Sequence, residues 1–251
     1  MECISLFDML KIGVGPSSSH TLGPWRAAER WIAELEEQEV FDQVKHIKTY
    51  LYGSLCLTGK GHATDIAVAM GLLGTDPETV DIESISGSID RVKAENKLDF
   101  GGKREIPFNY KDDIVYQKEF LSFHANGIRF EAELINGELI TETYYSIGGG
   151  FVVKEELVHA KENKETFKTF PHPVKTGDEL LYHCNAQNKN ISTIVMENEL
   201  SLRTASEIDE GIARIWNTML ECMYAGCHTE GKLPGGLNVK RRAYEIHQKL
   251  K

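Results

Sequence analysis

The sequence predicts an α/β domain over residues 1–153, a charged connector over 154–175 and an all-helical segment over 176–251. Three observations carry this division. In the first part, helical apolar stripes alternate with runs of aromatic and β-branched residues that read as strands. Residues 154–168 then hold eight charged side chains in fifteen and lead into the proline-punctuated run FPHPV, the composition of a domain boundary. Beyond it the pattern is helical throughout.

The first helix is PWRAAERWIAELEEQ, with Trp25, Ala28, Trp31, Ile32 and Leu35 on or near one face. Pro24 suits its first turn, where a missing N–H costs nothing. HIKTYLYGSL reads as a strand. A second helix is expected from about Lys60 to Leu73, burying Ile66, Ala69, Met70 and Leu73. Residues 84–111 are expected to form irregular connections because SGS, GG and IPF pieces interrupt them. Strands follow at 128–135 and 139–147, and Asn136-Gly137 between them is a strong hairpin signal. In the second part, Thr176 with Glu179 and Ser206 with Asp209 are candidate capping boxes. Ile208, Ile212, Ile215, Trp216, Met219 and Met223 form a stripe reaching Gly226, which places Cys222 in a core. A turn-rich segment precedes AYEIHQKLK, and the helical part is expected to be incomplete, since so few helices make a poor core by themselves.

A chain of 251 residues, 41% hydrophobic and 26% charged, is globular and is neither coiled coil, collagen-like nor disordered. Its net charge of −10 excludes a broad nonspecific nucleic-acid face, and Lys240-Arg241-Arg242 is too short a basic cluster to reverse that. No apolar run approaches membrane-spanning length. The amino terminus lacks the basic start of a signal peptide. Five sparsely spaced cysteines, Cys3, Cys56, Cys184, Cys222 and Cys227, argue against a disulfide framework and place the chain in a reducing, cytoplasmic compartment.

Three segments hold candidate chemistry. Ser17, Ser18, Ser19, His20 and Thr21 follow a glycine-rich stretch and directly precede a helix. Unpaired N–H groups and the positive dipole end there favour an anion, and hydroxyls add donors without charge. Serines in an elaborate helix cap are the simpler reading, which three consecutive serines exceed. The second segment is Gly53-Ser54 followed by Leu57-Thr58-Gly59-Lys60-Gly61-His62-Ala63-Thr64-Asp65, another glycine-rich helix start. It fails as a phosphate-binding P-loop, because Gly53 lies one residue too far upstream of Gly59 and Gly61 stands where Ser or Thr is needed. His62 is expected to be exposed there, with Asp65 either orienting the imidazole or neutralising the dipole. The third, Tyr144 to Phe151, ends a strand in Ser146 and then Gly148, Gly149 and Gly150, which allow close backbone approach to a ligand. Cys222, Cys227 and His228 fit no common zinc spacing, and no metal ligands are assigned in this chain.

SLFDMLKIGVGPSSSHTLGP, YGSLCLTGKGHATDIAVAMGLLG, TYYSIGGGFVV and TEGKLPGGLNVKRRA together resemble the iron–sulfur-dependent L-serine dehydratases, in the single-chain bacterial form. The resemblance covers essentially the whole chain. It implies an N-terminal β domain with a mixed sheet, followed by the beginning of a helical α domain. It also implies β-elimination of L-serine to pyruvate and ammonia, with a 4Fe–4S cluster as Lewis acid and without pyridoxal phosphate. Cluster ligands are implied in a C-terminal half beyond this sequence, so this chain alone is expected to be inactive. The implied partners are L-serine, a C-terminal α domain or separate α chain, and a second copy in a homodimer, with no nucleic acid or membrane.

Within the resemblance, His62, His20 and Asp65 are the catalytic candidates. His62 is the expected acceptor of the Cα proton, although the sequence does not rank the two imidazoles. Ser17, Ser18, Ser19, Thr21, Thr64, Ser146, Gly148 and Gly149 are the expected substrate-binding residues. The alternative is a non-catalytic regulatory or serine-binding module, because the family's β domain resembles the allosteric substrate-binding domain of some phosphoglycerate dehydrogenases.

Overall fold

The computed structural model describes residues 4–159, 170–233 and 238–251. Part of the expected connector, and Cys3, lie outside the described residues. The chain divides into two compact units: residues 13–161 with 232–240, and residues 1–12 with 162–231 and 241–251.

The helical unit begins with α1 (Leu6–Met9), which Ser5 and Asp8 cap reciprocally. Helix α2 (Gly23–Glu37) opens the sheet unit with Pro24 in its first turn, and the predicted apolar face is buried from Trp25 to Leu35. Strand β1 (Val44–Tyr52) follows and pairs with strands that come later in the chain. At Gly53, with φ 55° and ψ −119°, the chain turns sharply out of β1 into α3 (Ser54–Thr58), so the Gly-Ser-Leu end of the predicted strand is turn and helix.

The second predicted helix is interrupted. A tight 3₁₀ turn covers Gly59–His62, Ala63 takes a left-handed conformation at φ 55°, and α4 (Thr64–Leu72) starts only afterwards. Helix α4 is buried almost all round, including Ala67 and Val68, while Ile66 is only partly buried.

The stretch expected to be irregular contains α5 (Ile82–Glu95) and then the small antiparallel pair β2 (Lys97–Phe100) and β3 (Arg104–Pro107). Its Ser- and Gly-rich sequence is a poor helix former. The Asp81 cap at one end, left-handed Asn96 at the other and the burial of Ile89 and Val92 nevertheless make it a helix.

Strands β4 (Ile114–Gln117), β5 (Gly127–Leu134), β6 (Leu139–Gly148) and β7 (Phe151–Lys154) complete the sheet, in the order β4-β1-β5-β6-β7. Only the β1–β4 pair is parallel, so the sheet is mixed. The hairpin at Asn136-Gly137 forms where predicted, with Thr49 of β1 opposite Phe130 of β5 and Phe130 opposite Glu142 of β6. Helices α2 and α4 share one core with the sheet. Within it Trp31 stacks on Phe130 at 4.8 Å, and Phe130 meets Tyr144 edge-on at 5.8 Å. After β7 comes α6 (Glu155–His159).

The helical unit continues with α7 (Gly177–Gln187), α8 (Ile191–Leu200), α9 (Ala205–His228) and α10 (Arg242–Leu250). Thr176 and Glu179 form the predicted capping box of α7. The box of α9 is Thr204 with Glu207, two residues before the predicted pair, because α9 already begins at Ala205. Buried Glu199 of α8 accepts from Ser5 Oγ at 2.9 Å and Leu6 N at 2.6 Å, and Arg203 donates to it at 2.8 Å. Residues 5 and 6 are thereby fixed to the helical unit.

On α9 only Ile208 of the predicted stripe is fully buried, and Cys222 is exposed rather than in a core. The described helices reach the start of that stripe and leave its later turns open. Among the described residues, no helix is long and apolar enough to cross a membrane.

Candidate functional site

The two glycine-rich helix starts meet. Ser17 caps a short π-helical turn, Ser18–Leu22, by accepting from His20 N at 3.2 Å, and this turn feeds directly into α2. Thr21 Oγ1 donates to the His62 carbonyl at 2.9 Å, and Thr64 Oγ1 donates to the His20 carbonyl at 2.6 Å. This reciprocal lock joins one loop to the other and accounts for the break at Ala63. It also brings the imidazoles of His20 and His62 to 4.9 Å between ring centroids, tilted by 39°. Both rings are partly exposed.

The two imidazoles are held differently. His20 is engaged at both nitrogens, Nδ1 with Ser19 Oγ at 2.9 Å and Nε2 with Ser54 Oγ at 3.0 Å. Burial and the neighbouring His62 lower the pKa of His20 below its ordinary 6.5, and the Ser54 backbone opposes them. His62 Nδ1 lies 3.0 Å from the carbonyl of Thr58. A carbonyl only accepts, so Nδ1 must carry the proton and the lone pair of neutral His62 resides on Nε2.

The hydroxyls fall into two groups. Ser146 has no exposed surface, and its Oγ donates to the Ser19 carbonyl at 2.8 Å. Thr21 and Thr64 are also buried, with their hydroxyls committed to backbone carbonyls. These three were expected among the substrate-binding residues, but the structure uses them to hold the loops. Ser18 is exposed, while Ser17 and Ser19 are partly buried with their hydroxyls 3.5 Å apart. Gly148, Gly149 and Gly150 all have positive φ (101°, 61° and 79°) in the turn between β6 and β7.

Asp65 does not pair with His62. Its carboxylate influences the phenols of Tyr110 and Tyr116, whose hydroxyls are sealed from water. Burial first, then the charge of Asp65, raises both phenols above their ordinary range. Sequence reasoning missed these tyrosines, Ser54, and Asn126, which exchanges hydrogen bonds with the Ser146 backbone at 3.0 and 3.1 Å. Ser54 lies within a segment already singled out, but its pairing with His20 spans 34 residues and leaves no local signal.

The sequence matches the serine dehydratase beta chain family over residues 5–157, and the chain belongs to that family. It is 42% identical to an L-serine dehydratase of Haemophilus influenzae over 98% of its own length and 54% of the relative's. To L-serine dehydratase 1 of Escherichia coli it is 44% identical over the same shares. An L-serine dehydratase of Streptomyces coelicolor is 44% identical over 99% of this chain and 55% of its own length. The chain thus spans about half the length of these curated relatives.

The iron–sulfur cluster implied by the resemblance needs a compact set of thiolates. Among the described residues no group of three His, Cys, Asp or Glu side chains gathers to hold a metal ion. Cys56 belongs to the sheet unit, and Cys184, Cys222 and Cys227 belong to the helical unit. These residues do not fit the cluster.

Proposed function

We propose that this chain supplies the substrate-positioning and proton-accepting part of an L-serine ammonia-lyase, which eliminates water from L-serine and yields pyruvate and ammonia. The observation that carries the reading is the meeting of His20 and His62 between two hydroxyl-rich loops of a serine dehydratase β chain. The Lewis-acid cluster of the family would be held by residues outside this chain. Residues 176–251 form the beginning of the helical domain in this reading, and the complete enzyme is a cytoplasmic homodimer.

His62 is the base of the reaction. Its Nε2 carries the lone pair, because Nδ1–H is held by the Thr58 carbonyl, and the ring stands partly exposed in the turn before α4. It takes the Cα proton of serine. Loss of that proton and of the β-hydroxyl leaves an aminoacrylate, which tautomerises to an imine and hydrolyses to pyruvate and ammonia. Ser17, Ser18 and Ser19 offer neutral donors to the substrate carboxylate at the turn leading into α2. His20 is held neutral beside them, which avoids a second positive charge against the protonated amine of the substrate. Thr21, Thr64 and Ser146 fix the frame, and Gly148 and Gly149 let the β6–β7 turn approach the cleft.

Removing a general base costs about 10²–10⁴-fold in rate. His62→Ala in the complete enzyme is therefore expected to lower kcat by about that factor while the cluster absorbance stays intact. Near-normal kcat would remove His62 from the role. Serine binding to the chain that His62→Ala leaves intact, together with unchanged turnover, would favour the regulatory-module reading instead.

A further inference from the structure

We propose that Ser54 is a positioning residue of this site, completing a hydroxyl–imidazole–hydroxyl chain in which Ser19 and Ser54 bracket the His20 ring and fix its orientation. Ser19 Oγ lies 2.9 Å from Nδ1 and Ser54 Oγ lies 3.0 Å from Nε2, so neither ring nitrogen is left to rotate freely. In a neutral imidazole one nitrogen donates and the other accepts. Each hydroxyl can do either, so the chain has two proton arrangements. In one, Ser19 donates to Nδ1 and Nε2–H donates to Ser54. In the other, Nδ1–H donates to Ser19 and Ser54 donates to Nε2. Either arrangement holds the ring in place beside His62, which it faces at 4.9 Å.

The backbone delivers Ser54 to this position independently of its side chain. Gly53, with φ 55° and ψ −119°, turns the chain at the end of β1. Gly53 N donates to the carbonyls of Gln117 and Glu119, and Ser54 N donates to that of Ala125 at 2.9 Å. The Thr58 hydroxyl closes onto the Ser54 carbonyl at 2.9 Å, and the Thr58 carbonyl holds Nδ1 of His62. One short helix, α3, therefore presents Ser54 to His20 from its first residue and Thr58 to His62 from its last. The two imidazoles are set by opposite ends of the same element.

The geometry of the chain does not depend on dehydratase activity, but its consequence for turnover rests on the function proposed above. The test accordingly has two readouts. The first is ¹⁵N NMR of the histidine-labelled 251-residue protein across a pH titration. Ser54→Ala should change the ¹⁵N shifts of both His20 ring nitrogens, because Nε2 loses its hydroxyl partner and the balance between the two proton arrangements changes. Ser54→Thr, which keeps the hydroxyl, should restore the wild-type pattern. Unchanged His20 ¹⁵N shifts in a folded Ser54→Ala protein would overturn the proposal, whatever the enzyme does.

The second readout is turnover of L-serine by the complete enzyme. Ser54→Ala should lower kcat about tenfold, the equivalent of one neutral hydrogen bond, with a smaller change in KM and rescue by Ser54→Thr. Altered NMR with unchanged kcat would keep the chain but refute its part in the reaction. Loss of kcat without any change at His20 would refute the positioning role.

Discussion

His20 sits in an environment unlike that of a free imidazole. Burial removes water from its cationic form, and His62 stands close enough to repel it. Its folded-state pKa therefore lies below the 6.5 of the unfolded chain. Between those two values the unfolded state binds more protons than the folded one, so stability rises with pH through that window. The contribution is complete above 6.5 and is lost on acidification as the unfolded histidine takes up its proton. Urea midpoints measured between mildly alkaline and mildly acidic pH should fall toward acid, and His20→Gln should reduce that slope. An identical pH profile in the variant would show that His20 is not held neutral by folding. Asp65 illustrates the limit of reading neighbours along a chain. Three residues from His62, it invites pairing with it, but the left-handed Ala63 turns α4 so that the carboxylate faces Tyr110 and Tyr116.

At the scale of elements, the sheet is joined to α2 through one buried lysine. Lys154 of β7 donates to Glu34 of α2 at 2.8 Å and pairs with Glu142 of β6 at 2.9 Å, while the Tyr144 hydroxyl also donates to Glu34 at 2.7 Å. Burial alone would raise Glu34, but the bonds from Lys154, Tyr144 and Arg30 hold its carboxyl below the ordinary range. Lys154→Ala removes the cation that Glu34 and Glu142 share, leaving Glu34 with Arg30 and the Tyr144 hydroxyl, and such a loss costs about 3 kcal/mol. The expected result is a clear drop in the urea midpoint of the sheet unit, followed by the fluorescence of buried Trp25 and Trp31. A shift of only a few tenths of a kcal/mol would mean that water has access to the pair, as at a surface bridge. The elements that could be read from sequence are those whose own pattern decides them. The α2 stripe, the Asn136-Gly137 hairpin and the Thr176 cap each depend on neighbours within one or two turns. Helix α5 and the break at Ala63 could not be read this way. The first overrides its Ser and Gly content by burying Ile89 and Val92. The second is imposed by hydrogen bonds from Thr21 and Thr64 across more than forty residues.

At the scale of the whole molecule, the described residues leave apolar surface open on α9. Ile208 is 1% exposed, whereas Trp216, Met219 and Met223 are 52%, 49% and 51% exposed along the same predicted stripe. Soluble proteins rarely leave a contiguous apolar face of that kind uncovered. The family relatives are nearly twice as long as this chain, and the proposed function places the cluster ligands in their additional half. Two outcomes are expected. Anaerobic reconstitution of the 251-residue chain with iron and sulfide should yield neither a stoichiometric cluster nor pyruvate from L-serine, since the described cysteines do not gather with other ligands. Adding the remaining half of a relative should restore turnover and at the same time cover α9. The second event has its own signal. Trp25 and Trp31 are already buried at 1% and 0% exposure, so acrylamide quenching of the isolated chain reports chiefly on Trp216. Protection of that fluorescence in step with the appearance of activity would place α9 in the assembled catalytic domain. Turnover by the chain alone would overturn the division of labour proposed for the two halves, and activity regained with Trp216 still fully quenchable would show that α9 faces solvent in the complete enzyme.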